Sequence, residues 1–109
     1  MNEKKGKVII LGSEGMGHGD ENLGFAILMS MLDALEKRED KPKAIILWNT
    51  AVKLLMEESP AVAKFKTLEK QGVDIVAGLL CLNEFCIADM INVGRAATMD
   101  EILDLILHN

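Results

Sequence analysis

Tyrosine is absent from this chain, and aromatic residues of all kinds make up only 4% of its 109 positions. A flavin site needs aromatic rings to stack on the cofactor, so flavin binding is not expected. Cysteine is equally scarce: Cys81 and Cys86 stand five residues apart, which is neither a C-x-x-C redox pair nor a usual zinc hook. His18 and His108 are the only histidines, too few to complete a structural zinc site. No apolar run approaches the roughly 18 residues that a membrane-spanning helix needs. The run at 8–11, after a lysine-bearing start, is too short for a signal peptide. Basic residues (12) are outnumbered by acidic ones (17), the formal charge is −5, and no dense basic block follows the N-terminal lysines. Nucleic-acid binding therefore lacks its electrostatic face. A soluble, cytoplasmic protein is expected, with no membrane partner, no nucleic acid, no cofactor and no metal. In a reducing compartment the two cysteines read as reactive or simply buried rather than bridged.

What is present is a core. Half the residues are hydrophobic and 27% are charged, the balance of a folded domain, and the whole span 1–109 is expected to form one. Residues 7–12 form a β-branched run closed by Gly12, the pattern of a buried first strand. A glycine-rich loop follows, and Asp20 is placed to cap a helix running to about residue 38. That helix is apolar on more than one face, which predicts cover from another subunit and hence a homo-oligomer. Residues 44–49 read as the second strand, with Asn49 or Thr50 as cap for a short helix at 51–57. Ser59-Pro60 restarts a helix that stops at Gly72. The third strand is expected at 73–79, then a helix capped by Asn83 and ending near residue 90. Residues 91–97 are weakly strand-like, and Thr98-Met-Asp-Glu101 is a capping box opening a last helix at 99–107.

Strands alternating with helices imply an α/β fold: a small, mostly parallel sheet with helices on both faces, flavodoxin-like. Right-handed crossovers make the strand order 2-1-3-4 the natural expectation, with Ser13, Asn49 and Cys81 as neighbours at the carboxyl edge. The residues at that edge exclude several chemistries. The glycine loop ends Gly-His-Gly-Asp20 where a Walker loop needs Gly-Lys-Ser/Thr, and Asp20 stands where the dinucleotide fingerprint needs its last glycine. A phospho-receiver site would need acidic residues after the first strand and an aspartate after the third; Gly12-Ser13 and Leu80-Cys81 stand there instead. What remains is Cys81, a thiol at a strand end, either a nucleophile favoured there or an inert buried side chain. His18 is a candidate proton donor or acceptor, or an idle exposed histidine. Cys86 would fall in the first turn of the helix after Asn83, buried on its inner face by preference, with a second relay or resolving thiol as the alternative.

The chain resembles a known family in several segments. These are Gly12-Ser-Glu-Gly-Met-Gly-His-Gly-Asp-Glu-Asn-Leu-Gly24, Trp48-Asn-Thr-Ala-Val-Lys-Leu54, Leu68-Glu-Lys-Gln-Gly-Val-Asp-Ile75 and Leu80-Cys-Leu82. Together they are similar to the DsrE-like sulfur-relay domains, most of all to the C-terminal domain of the sulfurtransferase-like selenium metabolism proteins of the YedF type. The resemblance implies a DsrE-like domain that assembles as a trimer or hexamer. It places Cys81 where active members carry a sulfur-accepting cysteine as a persulfide, with Asp20 and Asn49 lining the crevice. YedF-type proteins also carry an N-terminal TusA-like domain with a Cys-Pro pair, which this sequence does not include; either the sequence is the lone DsrE-like domain or the sulfur donor is a separate protein, and the partner expected is a sulfur donor or acceptor protein of TusA-like kind. The function implied is relay of a sulfane sulfur, or selenium, to a partner protein. The alternative is a non-catalytic oligomeric scaffold, or a domain binding a small ligand or partner.

Overall fold

Four short aliphatic runs pair side by side in the computed structural model, which describes residues 6–108. They are β1 (Val8–Leu11), β2 (Ala44–Leu47), β3 (Asp74–Gly78) and β4 (Arg95–Ala97). All three pairings are parallel, and the strand order is 1-2-3-4. The α/β class with a parallel sheet is as expected, but the order 2-1-3-4 is not: β1 lies at the edge, and β2 sits between β1 and β3. The chain steps across the sheet in one direction. With the right-handed crossover that parallel strands favour, such steps put successive connections on one face.

The packing follows from that. Ile45, Leu47, Ile75 and Ala77 point to the face covered by α1 (Glu21–Lys37), a 3₁₀ helix (Asn49–Leu55), α2 (Val62–Lys70) and α3 (Leu79–Glu84). Leu28, Leu32, Phe65, Leu68 and Leu82 meet them there, all fully buried. Ile46 and Val76 point the other way, to α4 (Met99–Leu107) through Ile102. Helices thus cover both faces, unequally. Every residue of β2 is inaccessible to solvent, as a strand covered on both sides should be. Ile10 of the edge strand, by contrast, stays exposed on the α4 side.

Local signals explain most boundaries. Asp20 caps α1 by accepting from the Leu23 N–H at 3.0 Å. The capping box of α4 is complete: Thr98 Oγ1 accepts from the Glu101 N–H, and the Thr98 N–H donates to Glu101 Oε1, a motif worth about 1 kcal/mol. Gly72, at φ 99°, ends the turn after α2. Ser59 Oγ accepts from the Ala61 N–H, so the serine anchors the turn from which α2 rises two residues later than its proline suggests. Other boundaries differ from expectation. Neither Asn49 nor Thr50 caps the 3₁₀ helix, which begins at Asn49 itself. The third helix opens at Leu79, directly on Gly78, and Asn83 lies inside it rather than capping a later one. Of residues 91–97 only the last three form β4; Ile91 instead makes an isolated antiparallel bridge with Met56.

The short β4 is held by its flanks. Arg95 donates twice to the Asp74 carboxylate at the start of β3 (3.0 and 2.8 Å), and that hydrogen-bonded pairing raises the guanidinium pKa. Gly94 precedes it at φ +84°, where an added Cβ would lie 2.8 Å from the Ile75 carbonyl oxygen. Gly17 has a similar φ of +88° with open space around it. Gly17→Ala should therefore cost about 1 kcal/mol, the left-handed backbone penalty alone. Gly94→Ala should cost about 2 kcal/mol or more because strain and overlap add. Urea midpoints of the two variants check this; equal losses would contradict it.

Candidate functional site

A crevice opens in a parallel sheet where adjacent strands send their following helices to opposite faces. Here that happens between β3, which leads into α3, and β4, which leads into α4. A cleft of about 460 Å³ lies there, at the carboxyl ends of the strands. Leu79, Leu80, Cys81, Glu84 and Phe85 wall it from the α3 side, Ala97, Met99 and Ile102 from the α4 side, and Trp48 and Asn49 from the end of β2.

Cys81 is half-buried and packs against the main core cluster. Because α3 starts on the last residue of β3 with no loop between, Cys81 falls in its first turn. Its Sγ accepts a hydrogen bond from the Asn49 backbone N–H at 3.1 Å. That donor is aimed by an unusual backbone: Trp48 is extended, and Asn49 then turns to φ 55°. Asparagine enters this left-handed region more readily than most residues. Gly78 keeps the floor low, since a Cβ there would sit 3.5 Å from Cys81 Sγ and 3.6 Å from Trp48 Cβ. The sulfur is thus held at the floor of the cleft by one fixed N–H donor, half-exposed to whatever enters between the apolar walls.

The expected grouping of Ser13, Asn49 and Cys81 is met only in its second half. Asn49 touches Cys81, whereas Ser13, His18 and Asp20 line a separate hollow with Gly15, Gly24 and Thr50. The strand order is the reason: β2 separates the end of β1 from β3. Within that hollow Ser13 Oγ donates to the Gly15 carbonyl at 2.7 Å, and the Asp20 carboxylate is engaged as helix cap. The expected burial of Cys86 is overturned. It is exposed at φ 59°, two residues beyond the end of α3, and does not line the cleft. The helix that would have carried it inward ends at Glu84.

Trp48, Glu84 and Phe85 were not singled out from the sequence. The signals available were the spacing of Cys81 and Glu84, which shares a helix face at i,i+3 once α3 begins at Leu79, and the position of the only tryptophan beside Asn49. Phe85 is further fixed by Lys53, whose Nζ lies 4.4 Å from the ring centroid.

No protein-family model matches the chain, and no curated protein matches it. Solved structures do. MTH1491 of Methanobacterium thermoautotrophicum, a protein of unknown function, has a TM-score of 0.61 at 15% identity over 91% of this chain and 89% of its own. The YchN protein of E. coli has a TM-score of 0.58 at 16% identity over 93% and 92%. The chain shares their fold.

The left-handed turn that aims the Asn49 N–H gives a direct test. Asn49→Gly should leave stability within a few tenths of a kcal/mol, whereas Asn49→Val should lose about 1–2 kcal/mol, because a β-branched residue is strained there. Chemical denaturation measures both; a valine variant as stable as the parent would contradict the turn.

Proposed function

We propose that this protein is a DsrE-like sulfur-relay protein that accepts a sulfane sulfur, or selenium, on Cys81 and passes it to a partner protein. The single observation carrying this reading is the Cys81 sulfur at the base of an apolar cleft with the Asn49 N–H 3.1 Å away. The fold shared with YchN, a DsrE-like fold protein, supports it as kinship of architecture. The segments around Gly12–Gly24, Trp48–Leu54 and Cys81 add the YedF-type likeness.

The step balances simply. The Cys81 thiolate attacks the outer sulfur of a donor persulfide; a new S–S bond forms to Cys81, the donor S–S bond breaks, and the donor leaves as its thiolate. No external oxidant or reductant takes part. The Asn49 N–H stabilises the attacking anion, and the half-buried position shields it from water. Delivery is the reverse attack by an acceptor thiolate, with a TusA-like protein as a fitting donor or acceptor.

Assembly into a homo-oligomer, a trimer or hexamer, belongs to the same proposal. Leu23 is 59% exposed and Ile27 43% on α1, and Leu107 is 69% exposed on α4. These aliphatic side chains favour cover by further copies of the chain. They also favour the second reading, a scaffold whose role is assembly and partner binding with Cys81 incidental.

Intact-mass measurement after incubation with a persulfide donor separates the two. The parent and Cys86→Ser should gain one sulfur and Cys81→Ser none, with circular dichroism unchanged. Sulfur retained by Cys81→Ser would show that Cys81 is not the acceptor; no gain in any of the three would favour the scaffold.

A further inference from the structure

The cleft around Cys81 has an uneven charge. Its walls are Trp48, Asn49, Leu79, Leu80, Phe85, Met99 and Ile102; among the described residues that line it, Glu84 is the only ionisable side chain besides the thiol, and none is a lysine or arginine. Glu84 shares a face of α3 with Cys81, three residues on, which puts their Cβ atoms about 5–6 Å apart. Lys53 stacks on the wall residue Phe85, its Nζ 4.4 Å from the ring centroid, but lines a different hollow, with Glu14 and Glu58, and not the cleft itself. An anionic donor entering the cleft would meet the Glu84 carboxylate, no lining cation among the described residues, and largely apolar walls that offer an anion little hydration. The formal charge of −5 adds a weaker repulsion of the same sign.

We infer that the cleft is selective for sulfur donors whose persulfide is borne on an uncharged or cationic, apolar carrier, and that Glu84 is the residue that sets this selectivity against anionic carriers such as thiosulfate or acidic small-thiol persulfides. This rests on Cys81 being the sulfur acceptor. The chemistry is common to a neutral small-molecule persulfide and to a persulfidated cysteine in a neutral or basic apolar segment of a protein. In either case the group transferred is the outer sulfur and the leaving group is the carrier thiolate. Leu80, 79% exposed, and Met99, 55% exposed, stand at the cleft as apolar surface for such a carrier.

A pair of donors differing by one charge reads the effect. In a Cys86→Ser background, the persulfides of N-acetylcysteine (a carboxylate) and of N-acetylcysteine amide (neutral) are compared for sulfur transfer to Cys81, each rate normalised to a free small thiol. Iodoacetate and iodoacetamide are compared in the same way, which reads charge at Cys81 without any sulfur transfer. A neutral peptide persulfide, run beside the amide, distinguishes a protein carrier from a small one by its larger apolar contact. The neutral member of each pair should be favoured by about threefold to tenfold at low salt, and less so as salt is raised. Glu84→Gln should shrink that ratio toward one and Glu84→Lys reverse it. Glu39→Gln, the same charge change on an exposed residue away from the cleft, should leave it in place. Equal rates for both members, or a ratio indifferent to Glu84→Gln, would overturn the inference while leaving Cys81 as acceptor. Alkylation of Cys81 with no sulfur uptake from any donor would overturn the relay function and this selectivity with it.

Discussion

The parting of α3 and α4, which leave neighbouring strands for opposite faces of the sheet, is the constraint on which the rest of this site depends. Had both helices followed the same face, the carboxyl ends of β3 and β4 would be roofed over and Cys81 would be a core thiol like any other. Because they diverge, a gap remains that neither helix fills, and the residues of both first turns become its walls. The sheet makes this possible by burying β2 on both sides. With the centre fixed, the outer connections are free to differ.

Backbone rather than side chains carries the polar part of the arrangement. The hydrogen bond to the sulfur comes from a main-chain N–H, directed by the left-handed turn at Asn49. The depth of the floor comes from the missing side chain of Gly78. Donors of this kind are hard to remove by substitution and need no rotamer to be frozen at the moment of reaction. The glycine-rich loop, which carries more conspicuous residues, spends its polar groups internally: Ser13 on Gly15 and Asp20 on the end of α1.

Elements with local signals were legible in the amino-acid sequence. Asp20, Gly72 and the Thr98 box mark their helix ends because each acts on backbone groups within a few residues, and the aliphatic runs mark strands because both sheet faces are covered. Strand order was not legible, since the pattern of a buried parallel strand is the same whichever edge it joins. The start of α3 was hidden because Gly78 caps it without a side-chain bond, while Asn83, a good cap by type, lies where no helix begins. That single displacement moved Cys86 from an expected inner face to an exposed turn, and it concealed Glu84 as a neighbour of Cys81. The pairing of Asn49 with Cys81 was foreseen as strand-end proximity, but the contact depends on a φ that no sequence pattern announced.

Strand order equal to chain order has a consequence for how the domain is built. Each strand pairs with the one synthesised just before it, so no part of the sheet waits for a distant segment to insert between strands already present. Loop closure at every step is short, which favours growth of the sheet from one edge as the chain emerges. The cleft is the exception: its far wall belongs to β4 and α4, which follow Cys81 in the chain. Between the emergence of Cys81 and that of Arg95–Ala97, the sulfur would thus sit on a partly assembled sheet whose open edge has yet to receive β4.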